Sequence, residues 1–455
     1  MEFEQIFVDR ERNMREVAYR DVSCSRTVRD IRGDNMSRPT TFLDLEEAFD
    51  ILQSKLLPLP EESVALRGAL GRVLPRELPA RIDQPRFRKS AVDGYGVLPG
   101  QEDEPFRVVA SIVAGEERTP GKPSNLSSGE ALRIMTGAVV PPDIERVLRL
   151  EYTETVTAST SPAGEPRFRR KRFEEQTNIA EEGENIRSGE PLLSPRRLTA
   201  LDIGILASQG YAEVAVYRRP QVAVFSTGTE LYSPEKEEIP SYAIYDSNSF
   251  QLTALAEANL AVAENRGMLG DDQAAITEAL ARAIEESDVV IVSGGVSMGD
   301  LDFVPAALAD LGASIHFHGL AVKPGKPTLF ATLEKTLIFG LPGNPVSTAA
   351  QFEMLIAPAL HALQGLVYTP REARVPLASP FRRKNADRHE FLPGYYRDGK
   401  VHQISYRGSG HLSALADAEL LFRVDRGVRE VAAGEEVYAR FIRPGDRLSS
   451  NLRNR

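Results

Sequence analysis

From Pro220 onward the chain alternates unbroken apolar runs with segments of helical periodicity. Val222-Ala223-Val224-Phe225 and Val289-Val290-Ile291-Val292 have no polar face, so each reads as a strand covered on both sides. Between them, Ile276, Ala279, Leu280, Ala283 and Ile284 share one stripe of a helix that follows Asp271-Asp272. Further helices are expected near residues 246–257 and over 304–311, the latter stopped by Gly312. Residues 314–317 and 336–339 read as strands. The second leads into a helix over 345–364 that Pro358 should kink. This alternation argues for an open, mostly parallel α/β sheet.

The flanks differ. Residues 64–220 carry short apolar runs broken by Gly and Pro, after a helix expected from Thr40 with Leu43, Ala48, Ile51 and Leu52 at helical spacing. Residues 153–172, rich in Ser, Thr and Arg, read as an exposed hairpin or loop, with Arg169-Arg170-Lys171-Arg172 a solvated run. After Gly365 the helices stop and short alternating runs suggest a small β domain. The expected organisation is multidomain α/β plus β. It has a flexible extension (1–39), an N-terminal helix-plus-β region of two subdomains (40–219), a central α/β domain (220–366) and a C-terminal β domain (367–455).

Composition narrows the function. The net charge is -10 over 455 residues, which gives no global field for nucleic acid. No apolar stretch approaches the roughly 18 residues of a membrane span, and residues 1–20 lack the apolar middle of a secretory signal. The single cysteine, Cys24, excludes an internal disulfide and a thiolate metal cluster. A reducing, cytoplasmic setting is expected. An anionic small substrate would need local cations or backbone amides.

In open α/β sheets ligands bind beyond the carboxyl ends of the strands, and three loops fall there. Ser226-Thr227-Gly228-Thr229-Glu230 offers close backbone approach and one carboxylate; a tight turn with a capping acid is an equal alternative. Residues 293–302, SGGVSMGDLD, combine Gly294 and Gly295, whose amides suit a phosphate, with Asp300 and Asp302 as hard oxygen donors. Residues 340–347, GLPGNPVS, place Pro342 before Asn344, a helix cap, and Pro345 in its first turn. Lys323-Pro324-Gly325-Lys326-Pro327 holds two ammonium groups on a stiff segment; a solvated loop is the common alternative. Asp93-Gly94 reads by itself as an ordinary turn, and Arg382-Arg383-Lys384 near Arg388 as a solvated face. Gly295-Val296-Ser297-Met298-Gly299 fits a nucleophile elbow, making a serine hydrolase through Ser297 the rival from another class. Two glycines separate that serine from its strand, and His316 and His318 belong to the next expected strand.

The ordered set SAVDGY (90–95), RIMTGA (133–138), GENIRSGE (183–190), STGTEL (226–231), YDSNS (245–249), SGGVSMGD (293–300), KPGKP (323–327), LPGNPVS (341–347) and GSGHLSALADAE (408–419) resembles the molybdopterin molybdenumtransferases, the MoeA and gephyrin E-domain type. The resemblance covers roughly Thr40 to the C-terminus. It departs from the family pattern at Arg88-Lys89, at residues 141–146 and at Pro191.

The resemblance implies a homodimer whose active site includes the partner's N-terminal region. It implies that adenylylated molybdopterin and molybdate yield molybdenum cofactor and AMP with magnesium assisting. It matches Glu230 and Asp302 to metal-holding carboxylates, and Lys323, Lys326, Ser347, Arg388 and Ser409 to the molybdate pocket. Asp93 and Thr136 match functional positions of the N-terminal region, and Asp246 and Asp271 match acids near the cleft. Gly294, Gly295, Ser297, Pro342 and Asn344 complete the expected substrate contacts. Two alternatives share the fold: a molybdopterin adenylyltransferase-like enzyme and a non-catalytic scaffold. Other cofactor-assembly proteins are candidate partners; nucleic acid and membranes are not.

Overall fold

The computed structural model describes residues 42–116, 121–156, 166–297 and 302–443; the expected extension over 1–39 lies outside them, as does Asp300. Helix α1 (Leu45–Gln53) starts where the Asp44 amide donates to Glu47 Oε2 at 3.3 Å, one half of a capping box. Its Ala48 and Leu52 are fully buried in the core of the central sheet.

Strand β1 (Glu61–Ala65) precedes a sheet of six strands: β2 (Gly94–Val97), β3 (Phe106–Ile112), β4 (Glu130–Ile134), β5 (Arg146–Arg149), β6 (Thr153–Val156) and β7 (Arg167–Arg170). Their spatial order is β5-β2-β4-β3-β7-β6. Gly94 is not a turn glycine. It opens β2, where an added Cβ would collide with the Leu148 carbonyl of the neighbouring strand. The arginine run at 169–172 is likewise no solvated loop at its start. Arg169 and Arg170 lie in β7, paired with Glu154 and Asp103. Helix α2 (Ala200–Ser208) follows, and β8 (Glu213–Tyr217) returns to pair antiparallel with β1.

Two departures from the family pattern meet here. The Arg88 guanidinium donates to the carbonyls of Pro141 (2.9 Å) and Ile144 (2.7 Å), and pairs with Glu181 at 2.9 Å. The unusual arginine therefore satisfies carbonyls of the unusual 141–146 stretch.

The central layer contains β9 (Gln221–Thr227), α3 (Asn248–Ala258), β10 (Val262–Leu269), α4 (Gln273–Glu286), β11 (Val289–Ser293), α5 (Val304–Asp310), β12 (Ser314–His318), β14 (Leu329–Leu333) and β15 (Thr336–Leu341). The short β13 (Val322–Lys323) leaves this layer. The sheet order is β10-β9-β11-β15-β14-β12, with β10, β9, β11 and β15 parallel and β14 antiparallel to both its neighbours, β15 and β12. Val222 and Val224 pack in one apolar cluster with α3, whereas Ala223 and Phe225 pack in another with α4 and α5. Alternate residues thus enter opposite cores, which is why the run has no polar face. Helix α6 (Pro345–Gln351) widens into a π turn over Phe352–Ile356 before α7 (Ala357–Ala362). Pro358 has no N–H for a bond four residues back, and the wider turn accommodates the break.

The last sheet holds β16 (Glu372–Pro376), β17 (His389–Arg397), β18 (Lys400–Gln403), β19 (Leu420–Val424) and β20 (Glu436–Phe441). Its order is β13-β17-β19-β20-β16, with β18 also on β17. The central segment therefore lends β13 to the C-terminal sheet: Val322 pairs with His389 and Lys323 with Glu390, in parallel. Among the described residues no helix is long and apolar enough to cross a membrane.

Candidate active site

The parallel strands β9 and β11 end side by side, with Ser226 opposite Ser293. A buried network locks the loops beyond them. Ser226 Oγ donates to Asp246 Oδ1 at 2.9 Å, and Asp246 also accepts the amides of Asn248 and Ser249, each at 3.1 Å. The Asn248 side-chain amide then donates to Ser293 Oγ (2.8 Å) and to the Gly343 carbonyl (2.7 Å). Three loops that the sequence separates by more than a hundred residues are joined by side chains of the YDSNS segment. Asp246 is thus fixed by its neighbours, whereas the partly exposed Asp271 accepts from Thr229 Oγ1 at 3.0 Å.

Glycines let these loops touch. A Cβ on Gly294 would lie 2.6 Å from the Thr227 carbonyl, and one on Gly295 2.8 Å from Thr227 Oγ1. That Thr227 hydroxyl is buried and has no hydrogen-bond partner among the described residues. Glu230 folds back over Gly228, where a Cβ would meet its carboxylate at 2.6 Å, and the Glu230 side chain is exposed. Asp302 lies beyond β11 at the entry to α5, whose Val304 amide donates to the Gly295 carbonyl at 3.1 Å. Glu230, Asp302, Gly294, Gly295 and Ser297 accordingly belong to one edge of the sheet.

Beside this edge is a cavity of about 820 Å³. Lys323, Lys326, Pro342, Asn344, Ser347, Arg388 and Ser409 all line it. The walls come from the KPGKP segment, the start of α6 and the C-terminal sheet. Gly325 is required there: its φ is +109°, and a Cβ would collide with Gln351, whose side-chain amide donates to the Pro324 carbonyl at 3.1 Å. Lys323 Nζ lies 2.7 Å from Glu390 Oε1, and Lys326 Nζ stands 4.3 Å above the Phe42 ring, a cation–π contact.

The α6 start differs from the cap expected of Asn344. The Asn344 side chain makes no capping bond; instead the Val346 amide donates to the Ser409 carbonyl at 3.2 Å. The C-terminal β segment closes that helix end, and Ser409 reaches the cavity through this contact. In the cationic cluster at 382–384, Arg382 and Lys384 are exposed as a solvated face requires, but the Arg383 side chain is buried, donating to the carbonyls of Val428 and Arg388 and reaching Glu390 Oε2 at 3.4 Å.

Sequence reasoning missed Glu390. Its signal lay in the pairing of β13 with β17, which no local periodicity announces. It also missed Asp44, Glu46 and His389, whose ligand-capable atoms lie within 4.8 Å of one another. There Arg426 lies 3.5 Å from Asp44 and Arg423 3.7 Å from Glu46, so the group forms an ion-pair hub between α1 and the C-terminal sheet. The hydrogen bond to Glu46 holds the Asp44 carboxyl below the usual carboxylate range, and the same bond raises Glu46.

Asp93 and Thr136 come together away from the cavity. The Thr136 amide and hydroxyl both donate to Asp93 Oδ1 at 2.7 Å. These bonds hold the Asp93 carboxyl below its ordinary range. For the hydrolase alternative the Nε2 atoms of both histidines are engaged by groups other than the Ser297 hydroxyl. His318 Nε2 is 2.6 Å from the Val296 carbonyl and His316 Nε2 is 2.8 Å from Thr332 Oγ1. Their strand is at the sheet edge, not beside β11.

Together the architecture defines a protein built on three six-stranded sheets, with an oxyanion-suited cleft beside a nucleotide-type α/β edge. Residues 43–210 match the family described as "MoeA N-terminal region (domain I and II)", 223–362 the "Probable molybdopterin binding domain", and 374–440 the "MoeA C-terminal region (domain IV)". A Haemophilus influenzae molybdopterin molybdenumtransferase is 32% identical over 410 residues, covering 85% of this chain and 96% of that protein. One from Staphylococcus epidermidis is 32% identical over 412 residues, covering 87% and 95%. A solved molybdopterin biosynthesis MoeA protein from Pyrococcus horikoshii superposes with a TM-score of 0.76 at 28% identity, covering 89% of this chain and all of that one. The chain belongs to the molybdopterin molybdenumtransferase family.

Proposed function

We propose that this protein inserts molybdate into adenylylated molybdopterin and releases AMP, in molybdenum cofactor biosynthesis, as a cytoplasmic homodimer assisted by Mg2+. The observation that carries the reading is the convergence of Lys323, Lys326, Arg388, Ser347 and Ser409 on one cavity beside the strand tips that bear Glu230 and Asp302. A tetrahedral dianion suits ammonium, guanidinium and hydroxyl donors.

Glu230 and Asp302 fit a hard divalent cation by their oxygen donors, and the orphaned Thr227 hydroxyl beside them is a further oxygen facing the same loops. The chemistry such a cation supplies when bound is charge neutralisation across phosphate oxygens as a phosphoanhydride breaks. The chain's own part is positional. The amides of Gly294 and Gly295 and the packing of Pro342 and Asn344 would seat the nucleotide-linked end, with Ser297 at the loop's exposed end. The lysines, Arg388 and the two serines would hold the oxyanion against the pterin sulfurs. Those sulfurs belong to the substrate, so a single cysteine in the chain is no obstacle.

The Asp93–Thr136 pair does not line its own chain's cavity. This favours a dimer in which that pair serves the neighbouring subunit's cleft. The cation-rich cavity also favours the transferase over the adenylyltransferase-like and scaffold alternatives, since neither requires a site for a free inorganic dianion. The test is to incubate the purified full chain with adenylylated molybdopterin, MgCl2 and molybdate and to measure AMP and cofactor. AMP release that requires both the metal ion and molybdate is expected; none under saturating conditions contradicts the reading.

A further inference from the structure

Glu390 is a carboxylate in the wall of a cavity otherwise lined by cations. Around it stand Lys323, Lys326, Arg382, Lys384, Arg388 and Arg407. It is only 5% exposed, and the strand pairing of β13 with β17 sets it opposite Lys323. Its two oxygens are divided: Oε1 takes the Lys323 ammonium at 2.7 Å, and Oε2 faces Arg383 at 3.4 Å. Arg383 also contributes to the cavity wall, but its guanidinium is held by three backbone carbonyls, those of Val428, Arg388 and Asp425. Lys323 is different. Its side chain is about half exposed, and an ammonium has three donors. One is engaged by Glu390, leaving donors for a ligand in the cavity.

We propose that Glu390 is a positioning and affinity-setting residue that competes with the bound oxyanion for Lys323. It aims the ammonium and at the same time opposes the dianion by like charge. This rests on the reading of the cavity as a molybdate site. The buried carboxylate keeps the cation-rich wall from trapping tetrahedral dianions such as sulfate or phosphate, so the inorganic substrate remains exchangeable. Of the two effects, repulsion dominates over orientation. A fixed negative charge close to a dianion in a partly desolvated wall acts more strongly than the rotamer freedom of one lysine. Glu390→Gln keeps an acceptor for Lys323 and removes only the charge.

The test is calorimetric titration of the full-length protein with molybdate, tungstate and sulfate, alongside thermal melting. For Glu390→Gln we expect roughly tenfold tighter binding of each oxyanion, as removal of a nearby like charge requires. Glu390→Asp, which keeps the charge, is expected to stay within about threefold of the parent protein. Unchanged or weaker binding by a normally melting Glu390→Gln overturns the proposal, because a merely structural carboxylate gives that result. Should Glu390→Gln fail to fold, the neutral pair Lys323→Met/Glu390→Gln is compared with Lys323→Met; tighter binding by the pair supports opposition of the dianion by the Glu390 charge and equal binding overturns it. If the parent protein binds no oxyanion, the cavity reading falls together with this one. If it binds and Lys326→Ala weakens binding while Glu390→Gln does nothing, only the role of Glu390 falls.

Discussion

Ser226 Oγ donates to Asp246 Oδ1 at 2.9 Å, fastening the tip of the first parallel strand to the segment that starts α3. Asp246 accepts four hydrogen bonds in all and is 4% exposed. Its role is therefore to hold the loops that carry the site. Asp246→Ala leaves four donors without their acceptor, two of them backbone amides. We expect a loss of about 3 kcal/mol of stability, as for removal of a buried charged acceptor, with Asp246→Asn smaller. Chemical denaturation measures both; equal stability to the parent protein contradicts the assignment.

Glu230→Gln and Asp302→Asn test the metal reading. Glu230 is exposed, with its carboxylate over Gly228, so Glu230→Gln should melt like the parent protein. Each variant should lower metal-dependent AMP release by roughly 100-fold, the scale of losing a charge-stabilising group. Rates within twofold of the parent at saturating MgCl2 would remove both residues from the site.

Lys326→Ala should raise the molybdate concentration needed for half-maximal AMP release by about tenfold, the equivalent of one well-placed ionic contact. It also removes the contact of the ammonium with Phe42, so a small drop in melting temperature is expected. A molybdate dependence identical to the parent's would place the oxyanion elsewhere.

Glu353 gives a pH prediction away from the site. Burial raises its carboxyl above the usual range, against the lowering effects of the Tyr368 hydroxyl and Arg440. A raised carboxyl favours the protonated form in the fold. Its contribution to stability is complete below the ordinary carboxylate range and is lost as pH rises through the raised value. Glu353→Gln keeps the acceptor for Tyr368 and never ionises. It should melt a few degrees higher than the parent protein near pH 8, and no higher near pH 4. A gain that is the same at both pH values contradicts a buried, titrating Glu353.

Much of this was legible in the chain, for physical reasons that can be named. The runs at 222–225 and 289–292 announced buried parallel strands because both sheet faces are covered. Strand β10 was silent because it lies at an edge with alternating exposure, where Glu264-Asn265-Arg266 interrupts any apolar run. Strands β14 and β15 form a hairpin through Glu334 in the left-handed region, without the Asn-Gly signal that marks such turns. The lysines of 323–327 stood out by proline stiffness, but their counter-ion Glu390 did not, because a pairing between β13 and β17 spans more than sixty residues. Asp93 looked like half of an ordinary turn. Only the fold brings it to Thr136 and shows that Gly94 serves strand contact instead.

The most direct test of the account is molybdate-dependent AMP release by the purified full-length protein, comparing the parent with Arg388→Ala and Ser409→Ala in the presence of MgCl2. We predict AMP release by the parent that rises with molybdate and saturates, with both variants needing more molybdate to reach the same rate. AMP release independent of molybdate in all three would contradict it.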